Sequence, residues 1–185
     1  MNALRADIAV LCGDAACSAT AVLGLGTYLR IGTHNSKPAV IFEATNVLVA
    51  DGTGSTVTSP ANGLGNLIVG YDESTSDPVD DKTGSHNLVV GYGHTYSSYG
   101  GLVAGYNNNV TGAYGSVSGG WGNTASGSTS SVSGGSSNTA SGALSSVSGG
   151  GFNTASGHYS SVSGGNTREA SDSFDWRAGG LFQSN

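Results

Sequence analysis

Carboxylates are the side chains of this sequence with the clearest capacity for chemistry, and many of them lie in one acidic segment. The segment holds five of the twelve acidic residues: Asp72, Glu73, Asp77, Asp80 and Asp81. Clustered carboxylates can bind Ca²⁺, which prefers several oxygen ligands, or can form an acid and base pair. The calcium-loop pattern D-x-[DN]-x-[DN]-G is absent. We therefore favour a solvated loop over a metal site.

Histidine, serine and glycine occur without the spacings of known catalytic or nucleotide-binding motifs. The four histidines are His34, His86, His94 and His158, and no H-E-x-x-H pair is present. G-x-S-x-G, Walker and Rossmann patterns are also absent. A metal ring formed by His86 and His94 on a trimer axis is the alternative to ordinary hydrogen-bonded histidines, which we favour. The sequence predicts no catalytic residue, no metal site and no cofactor.

The two cysteines lie close together near the start of the chain. Cys12 and Cys17 enclose a C-x4-C loop and are the only thiols. Two thiols do not make a zinc site by themselves, because structural zinc takes four ligands. We expect a small disulfide if the chain is in an oxidising compartment, and two free thiols are the alternative.

Tyrosines are the residues that suggest ligand binding. Six of the eight lie in or beside the central part of the chain: Tyr71, Tyr92, Tyr96, Tyr99, Tyr106 and Tyr114. An aromatic ring beside Ser, Thr and Asn can contact a sugar or a protein, since the ring supplies apolar area and its hydroxyl a hydrogen bond. The sequence therefore predicts a ligand-binding surface at these tyrosines. The alternative is that the rings pack between subunits.

The charge pattern excludes two classes of function. The chain has six Lys and Arg against twelve Asp and Glu, a formal net charge of -6, and no charged residue between Lys82 and Arg168. Nucleic-acid binding needs clustered Lys and Arg, and a membrane span needs about 20 consecutive apolar residues. We expect neither nucleic-acid binding nor membrane insertion. Residues 1–11 carry Arg5 and Asp7 within their apolar stretch and do not resemble a secretory signal.

A 15-residue repeat dominates the uncharged region. The string S-V-S-G-G begins at Ser116, Ser131, Ser146 and Ser161, and N-T-A-S-G begins at Asn123, Asn138 and Asn153. Less regular copies with a slightly shorter period begin at Asn87 and Gly101, and a further copy begins at Asn66. A fixed period of this kind is typical of solenoids, in which each repeat stacks on its neighbours.

Each copy predicts one coil of an all-β, parallel β-solenoid with coils of about 15 residues. Small apolar residues alternate with hydroxyl residues at period two, and glycine at the corner can adopt a positive φ. The density of glycine excludes a helix, because each interior glycine costs about 1 kcal/mol relative to alanine. Ser116 and Ser118, with their equivalents, are expected to point outward. The residues expected to form inward ladders are Val103, Val117, Ala125, Val132, Ala140, Val147, Ala155 and Val162.

The interior of such a coil is thin, which favours a homotrimer. One Val and one Ala contribute about 3 kcal/mol per coil, whereas backbone ordering costs about 1 to 2 kcal/mol per residue. Three chains sharing one axis would bury additional apolar surface. The candidate contacts between subunits are Tyr106, Tyr114, Trp121, Thr129, Leu144 and Tyr159.

The repeat also resembles a known class of surface protein. The units SVSGGWGNTASGSTS, SVSGGSSNTASGALS and SVSGGGFNTASGHYS are similar to the head repeats of trimeric autotransporter adhesins, over about residues 87–166. That family has a slightly shorter repeat, so the 15-residue period and the Asn-Thr pair are departures from it. The resemblance implies a left-handed β-roll in an intertwined homotrimer that binds host or matrix ligands. Phage and injection-machine tail fibres carry similar repeats.

Composition divides the chain into three parts. Residues 1–65 predict a β-rich N-terminal cap that starts the trimer, and residues 66–166 predict the solenoid, with a loop insertion at 72–85. Residues 167–185 predict a C-terminal cap or a stalk junction, because charges and aromatics return there. Solenoids need caps, since an open terminal coil exposes unpaired backbone groups.

These observations favour a non-enzymatic, structural and adhesive module, located outside the cell, at the cell surface or at a fibre tip. Its expected partner is a glycan or protein receptor on a host surface. The alternative is a phage tail-fibre or tailspike receptor-binding protein with polysaccharide depolymerase activity, which would use acids of residues 72–81. An ice-binding solenoid is a third hypothesis, which the Ser-rich, interrupted ladders disfavour.

Overall fold

The structure is a computed structural model that describes residues 28–57, 59–75 and 80–179. The chain divides into two compact units, Met1–Leu48 and Val49–Asn185, and each is treated by itself below. Within the described residues, every helix or strand assigned is a β-strand. The predicted all-β class is therefore confirmed.

The described part of the first unit is a β-hairpin. Strand β1 (Leu29–His34) pairs with strand β2 (Lys37–Phe42) in antiparallel register. Asn35 and Ser36 form the two-residue turn with φ of 48° and 62°, the positive values that tight hairpin turns require. The residues of the hairpin alternate between its two faces. One face carries Leu29, Ile31, Val40 and Phe42, and the other carries Arg30 and Ile41.

The second unit is a parallel β-solenoid built from two sheets. The eight-stranded sheet contains β3 (Leu67–Val69), β4 (Leu88–Tyr92), β6 (Leu102–Tyr106), β8 (Ser116–Val117), β10 (Ser131–Val132), β12 (Ser146–Val147), β14 (Ser161–Val162) and β16 (Trp176–Arg177). The six-stranded sheet contains β5 (Thr95–Tyr96), β7 (Asn109–Val110), β9 (Thr124–Ala125), β11 (Thr139–Ala140), β13 (Thr154–Ala155) and β15 (Glu169–Ala170). Each strand pairs with its equivalent one coil away, so the sheets consist of spatial neighbours that are distant in sequence.

The predicted coil length is also confirmed. Successive strands of the larger sheet from β4 to β16 begin one repeat apart, and they define about six turns. The register is strict: Val132 lies opposite Val117 on one side and Val147 on the other. Ala140 is flanked in the same way by Ala125 and Ala155.

The apolar interior consists of two columns that run through the stacked coils. All eight residues expected in the inward ladders are at most 1% exposed. The hydroxyl residues on either side of each valine face outward, as Ser118 and Ser133 illustrate. Alternation at period two therefore separates a core of small apolar side chains from a hydroxyl-covered surface.

A column of asparagines closes one corner of the interior, a feature that was not predicted. Asn108, Asn123, Asn138 and Asn153 are each at most 1% exposed. The Oδ1 atom of each accepts the backbone N–H of the equivalent residue one coil further on, at 2.8 to 3.0 Å. The Nδ2 atom donates to a carbonyl in its own coil and to one in the next coil, as at Asn108 and Asn138. We call this column the asparagine ladder.

The corners depend on glycine less than the sequence suggested. The second glycine of S-V-S-G-G does have a positive φ, 86° at Gly120 and 85° at Gly135. Other corner positions with φ between 55° and 58° are occupied by larger residues: Tyr114, Thr129, Ser137, Leu144, Phe152 and Tyr159. This conformation costs about 1 to 2 kcal/mol per non-glycine residue. Pairing with the coils above and below outweighs that local cost.

The solenoid continues beyond the predicted boundary at residue 166. Strand β15 pairs with β13, strand β16 pairs with β14, and Ala170 is fully buried in the alanine column. Residues 167–179 therefore include the strands of a further coil. Charged and aromatic residues take over its outward positions, with Trp176 opposite Ser161 and Glu169 opposite Thr154.

Candidate functional site

The outward face of the larger sheet is a surface without charge between β4 and β14. In its later coils it carries two rows of hydroxyls: Ser116, Ser131, Ser146 and Ser161 in one row, and Ser118, Ser133, Ser148 and Ser163 in the other. In its first coils the same rows carry Leu67, Val69 and Leu88, which are 39 to 55% exposed. The face thus changes from apolar to hydroxyl-rich along the stack.

Three aromatic residues line one edge of this face, and we call them the aromatic column. Tyr92 and Tyr106 are equivalent residues of neighbouring coils, and Trp121 pairs with Tyr106 through an isolated bridge. The rings of Tyr92 and Tyr106 are stacked, with centroids 5.3 Å apart and an interplanar angle of 7°. The three side chains are 41 to 53% exposed. The column therefore serves coil stacking and still offers aromatic edges to a ligand.

The other predicted binding tyrosines occupy different places. Tyr71 is 91% exposed, and Tyr99 contacts Tyr114 edge to face with a centroid distance of 5.3 Å. Tyr96 is not a surface residue, because it is 2% exposed and lies next to Val110 in an interior column. Its prediction as a ligand contact is corrected: the side chain is part of the core. Extending the repeat by one coil back from Val110 would have revealed this.

Tyr96 anchors the acidic segment to the solenoid. Its hydroxyl donates to Oδ2 of Asp72 at 2.8 Å, and Nζ of Lys82 lies 3.2 Å from Oδ1 of the same carboxylate. Burial and then the hydrogen bond to Asp72 raise the pKa of Tyr96 above its usual range. The segment predicted as a solvated loop is thus held to the solenoid at its ends, where the side chains of Asp72 and Lys82 are 25% and 18% exposed.

Two further acidic residues of the segment accept hydrogen bonds from nearby threonines. Asp80 accepts hydrogen bonds from the backbone and hydroxyl of Thr75, and Asp81 accepts them from Thr83. Asp77 lies outside the described residues. Across the described ranges, no group of three His, Cys, Asp or Glu side chains is placed to hold a metal ion. Asp80 and Asp81, two of the acids that the depolymerase alternative would use, thus bind residues of their own segment.

The histidines differ sharply in environment. His94 is 1% exposed, and its Nδ1 accepts the backbone N–H of Asn108 at 3.2 Å while Nε2 lies 3.1 Å from the carbonyl oxygen of Val90. Burial lowers the pKa of His94 below its usual value. His94 is therefore enclosed within the solenoid interior and does not face a partner subunit. His158, in contrast, is exposed and contacts the ring of Tyr159.

A second set of aromatics lies at the corner positions with positive φ. Tyr159 and Phe174 are stacked 5.1 Å apart at an angle of 5°, and Leu144 is the equivalent residue of the preceding coil. They are 45 to 75% exposed. These residues include two of the predicted intersubunit contacts, and they lie on the surface as those contacts require.

The predicted disulfide cannot be compared with the structure, because Cys12 and Cys17 lie outside the described residues. Within the described ranges, no helix is long and apolar enough to cross a membrane. Comparisons with known protein families, with curated proteins and with solved structures found no match for this chain.

Proposed function

We propose that this protein is a non-enzymatic, structural and adhesive module, displayed at a cell surface or fibre tip, that binds a neutral glycan of a host surface. The observation that carries the proposal is the aromatic column beside the uncharged hydroxyl rows. Aromatic rings and hydroxyl donors are the groups that proteins use on ligands with both an apolar side and many hydroxyls.

The absence of charge narrows the class of ligand. Residues 83–167 carry no Asp, Glu, Lys or Arg, so this surface has no charged group to pair with a phosphate, sulfate or carboxylate. Hydrogen bonding to serine and threonine is compatible with neutral sugars, which present donors and acceptors in close succession. A neutral oligosaccharide therefore fits this surface better than an acidic one.

A homotrimer is part of the same proposal. Leu67, Val69 and Leu88 leave an apolar patch on the first coils of the larger sheet. Patches of this kind on a soluble protein mark contacts with other molecules. Burying them against two further copies would add apolar core to a solenoid whose own interior is thin. The hydroxyl rows of the later coils would remain open to a ligand.

Glycan-array binding of the whole chain tests the proposal. We expect binding to neutral oligosaccharides that falls about tenfold or more in a Tyr92→Ala, Tyr106→Ala variant, because each 1.4 kcal/mol lost is about a factor of ten. The matched control is Phe174→Ala, which removes an exposed aromatic ring outside the aromatic column and should leave binding unchanged. Equal binding by wild type and the Tyr92, Tyr106 variant, at equal oligomer mass, would contradict a role of these tyrosines in ligand binding. Their role would then be coil stacking alone.

A further inference from the structure

His94 occupies the position that asparagine holds in the next coils of the asparagine ladder. Asn108 is the equivalent residue of the following coil, and the ladder runs on through Asn123 and Asn138. Each asparagine accepts a backbone N–H from the following coil through Oδ1. Each also donates from Nδ2 to a carbonyl earlier in its own coil. The amide group supplies an acceptor oxygen and two N–H donors, one of which serves this carbonyl.

The imidazole of His94 reproduces this pattern with its two nitrogens. Nδ1 accepts the N–H of Asn108, which fixes it as the unprotonated nitrogen. Nε2 faces the carbonyl oxygen of Val90, earlier in the same coil, and so carries the proton. Only the neutral Nε2–H tautomer satisfies both contacts. The tautomer is assigned from these two partners.

Protonation cannot be accommodated in this arrangement. A proton on Nδ1 turns the acceptor into a donor that faces the N–H of Asn108, so the bond between the two coils is lost. The ring is 1% exposed, and water cannot supply a new acceptor without local opening. An asparagine at the same place would have no such weakness, because its amide does not titrate near neutral pH.

The charged groups packed next to this coil come from the acidic segment. Burial has the largest effect on the pKa of His94 and lowers it, whereas hydrogen bonds with the backbone of Val90 and Asn108, the charge of Asp72 and a hydrogen bond with the backbone of Gly105 raise it. The Asp72 carboxylate is engaged by the Tyr96 hydroxyl and the Lys82 ammonium. Its charge is therefore largely compensated, and it does not offer His94 an ion pair.

We propose that His94 is an acid-sensitive contact in the asparagine ladder. Its protonation separates the coils of β4 and β6 and loosens the segment anchored through Asp72. The unfolded or opened chain has a histidine pKa near 6.5, whereas the folded group is neutral to lower pH. Stability is therefore complete above about pH 6.5 and falls as the pH drops below it, because the open form then binds a proton that the closed form does not. This device does not depend on glycan binding.

Amide hydrogen exchange and urea unfolding of the full chain test the proposal at about pH 7.5 and pH 5. In wild type, we expect the protection factor of the Asn108 amide, corrected for intrinsic exchange, to fall by up to about thirtyfold at the lower pH, the limit set by one factor of ten per pH unit below an open-chain pKa near 6.5. The Asn138 amide, which bonds to an asparagine, is the internal reference and should change much less. We expect His94→Asn to remove most of the fall at Asn108 and to make the urea midpoint less dependent on pH.

The matched control is His158→Asn, which replaces an exposed histidine outside the ladder and should retain the wild-type response. Equal pH dependence at Asn108 and Asn138 in wild type would overturn the proposal, and this result needs no variant to fold. An unchanged fall at Asn108 in a folded His94→Asn protein would overturn it as well.

Discussion

At the scale of single residues, the asparagine of N-T-A-S-G binds buried backbone groups at the corner of the coil. Asn138 satisfies the backbone N–H of Asn153 and the carbonyl of Gly134, which have no other bonds to the backbone. A buried backbone group left without a partner costs about 1 to 3 kcal/mol. The asparagines thus hold the corner together where an apolar side chain would leave it unpaired.

Asn138→Ala should therefore be strongly destabilising. We expect the free energy of unfolding to fall by about 3 kcal/mol, because two backbone groups at the corner lose their partner. Urea unfolding at neutral pH measures the change. Ser133→Ala, an exposed change in the same coil, should alter stability by less than about 0.5 kcal/mol. Similar losses in both variants would show that the ladder contributes no special stabilisation.

At the scale of the element, the two glycines that end S-V-S-G-G have different roles. A Cβ on Gly135 would collide with the carbonyl oxygen of Gly150 in the next coil, and its φ is 85°. A Cβ on the preceding Gly134 would meet no atom within 4 Å. One glycine is required by close approach of the coils and by positive φ, whereas the other is not.

Adjacent alanine substitutions can separate these roles. We expect Gly135→Ala to lower the free energy of unfolding by about 2 kcal/mol or more, because the coils must move apart and alanine is strained at positive φ. Gly134→Ala should be neutral or stabilising by about 0.4 to 1 kcal/mol, since it restricts the unfolded chain. Thermal unfolding of the two variants gives the comparison. A tolerated Gly135→Ala would mean that the coil spacing adapts more easily than the packing indicates.

At the scale of the whole molecule, the thin interior and the exposed apolar patch both support the proposed homotrimer. Val and Ala fill the regular coils, so each coil contributes little apolar surface to the core. Strand alternation places Leu67, Val69 and Leu88 on the outward rows. Homotrimer formation would bury them.

Light scattering of the intact chain tests the trimer directly. We expect a solution mass of three chains, and Leu88→Asp should shift it toward one chain, because a charge in an apolar interface is strongly disfavoured. Ser148→Asp places the same charge on the hydroxyl rows and should leave the mass unchanged. A compact wild-type protein with the mass of one chain would refute the trimer and remove much of the support for an adhesin-like head.

The positions that sequence reasoning located well are those set by the period alone. Val132 and Ala140 follow from spacing, because equal coils bring equal positions together. Tyr96 was misjudged because it lies in the irregular, slightly shorter coils, where residue type no longer marks the column. The coil of residues 167–179 was missed for a related reason. Its charged residues depart from the repeat, although Ala170 keeps its position in the alanine column.

Repeat length and residue type were enough to specify a parallel β-solenoid with two inward columns, because a repeat of constant length can bury small residues only if its coils stack in register. They did not specify which polar side chains enter the interior. The partners of those side chains belong to the neighbouring coil, and whether an amide or imidazole reaches them depends on the backbone direction at the corner. That direction, which only the folded stack fixes, placed the asparagine ladder and His94 inside, while the aromatic column stayed at the surface.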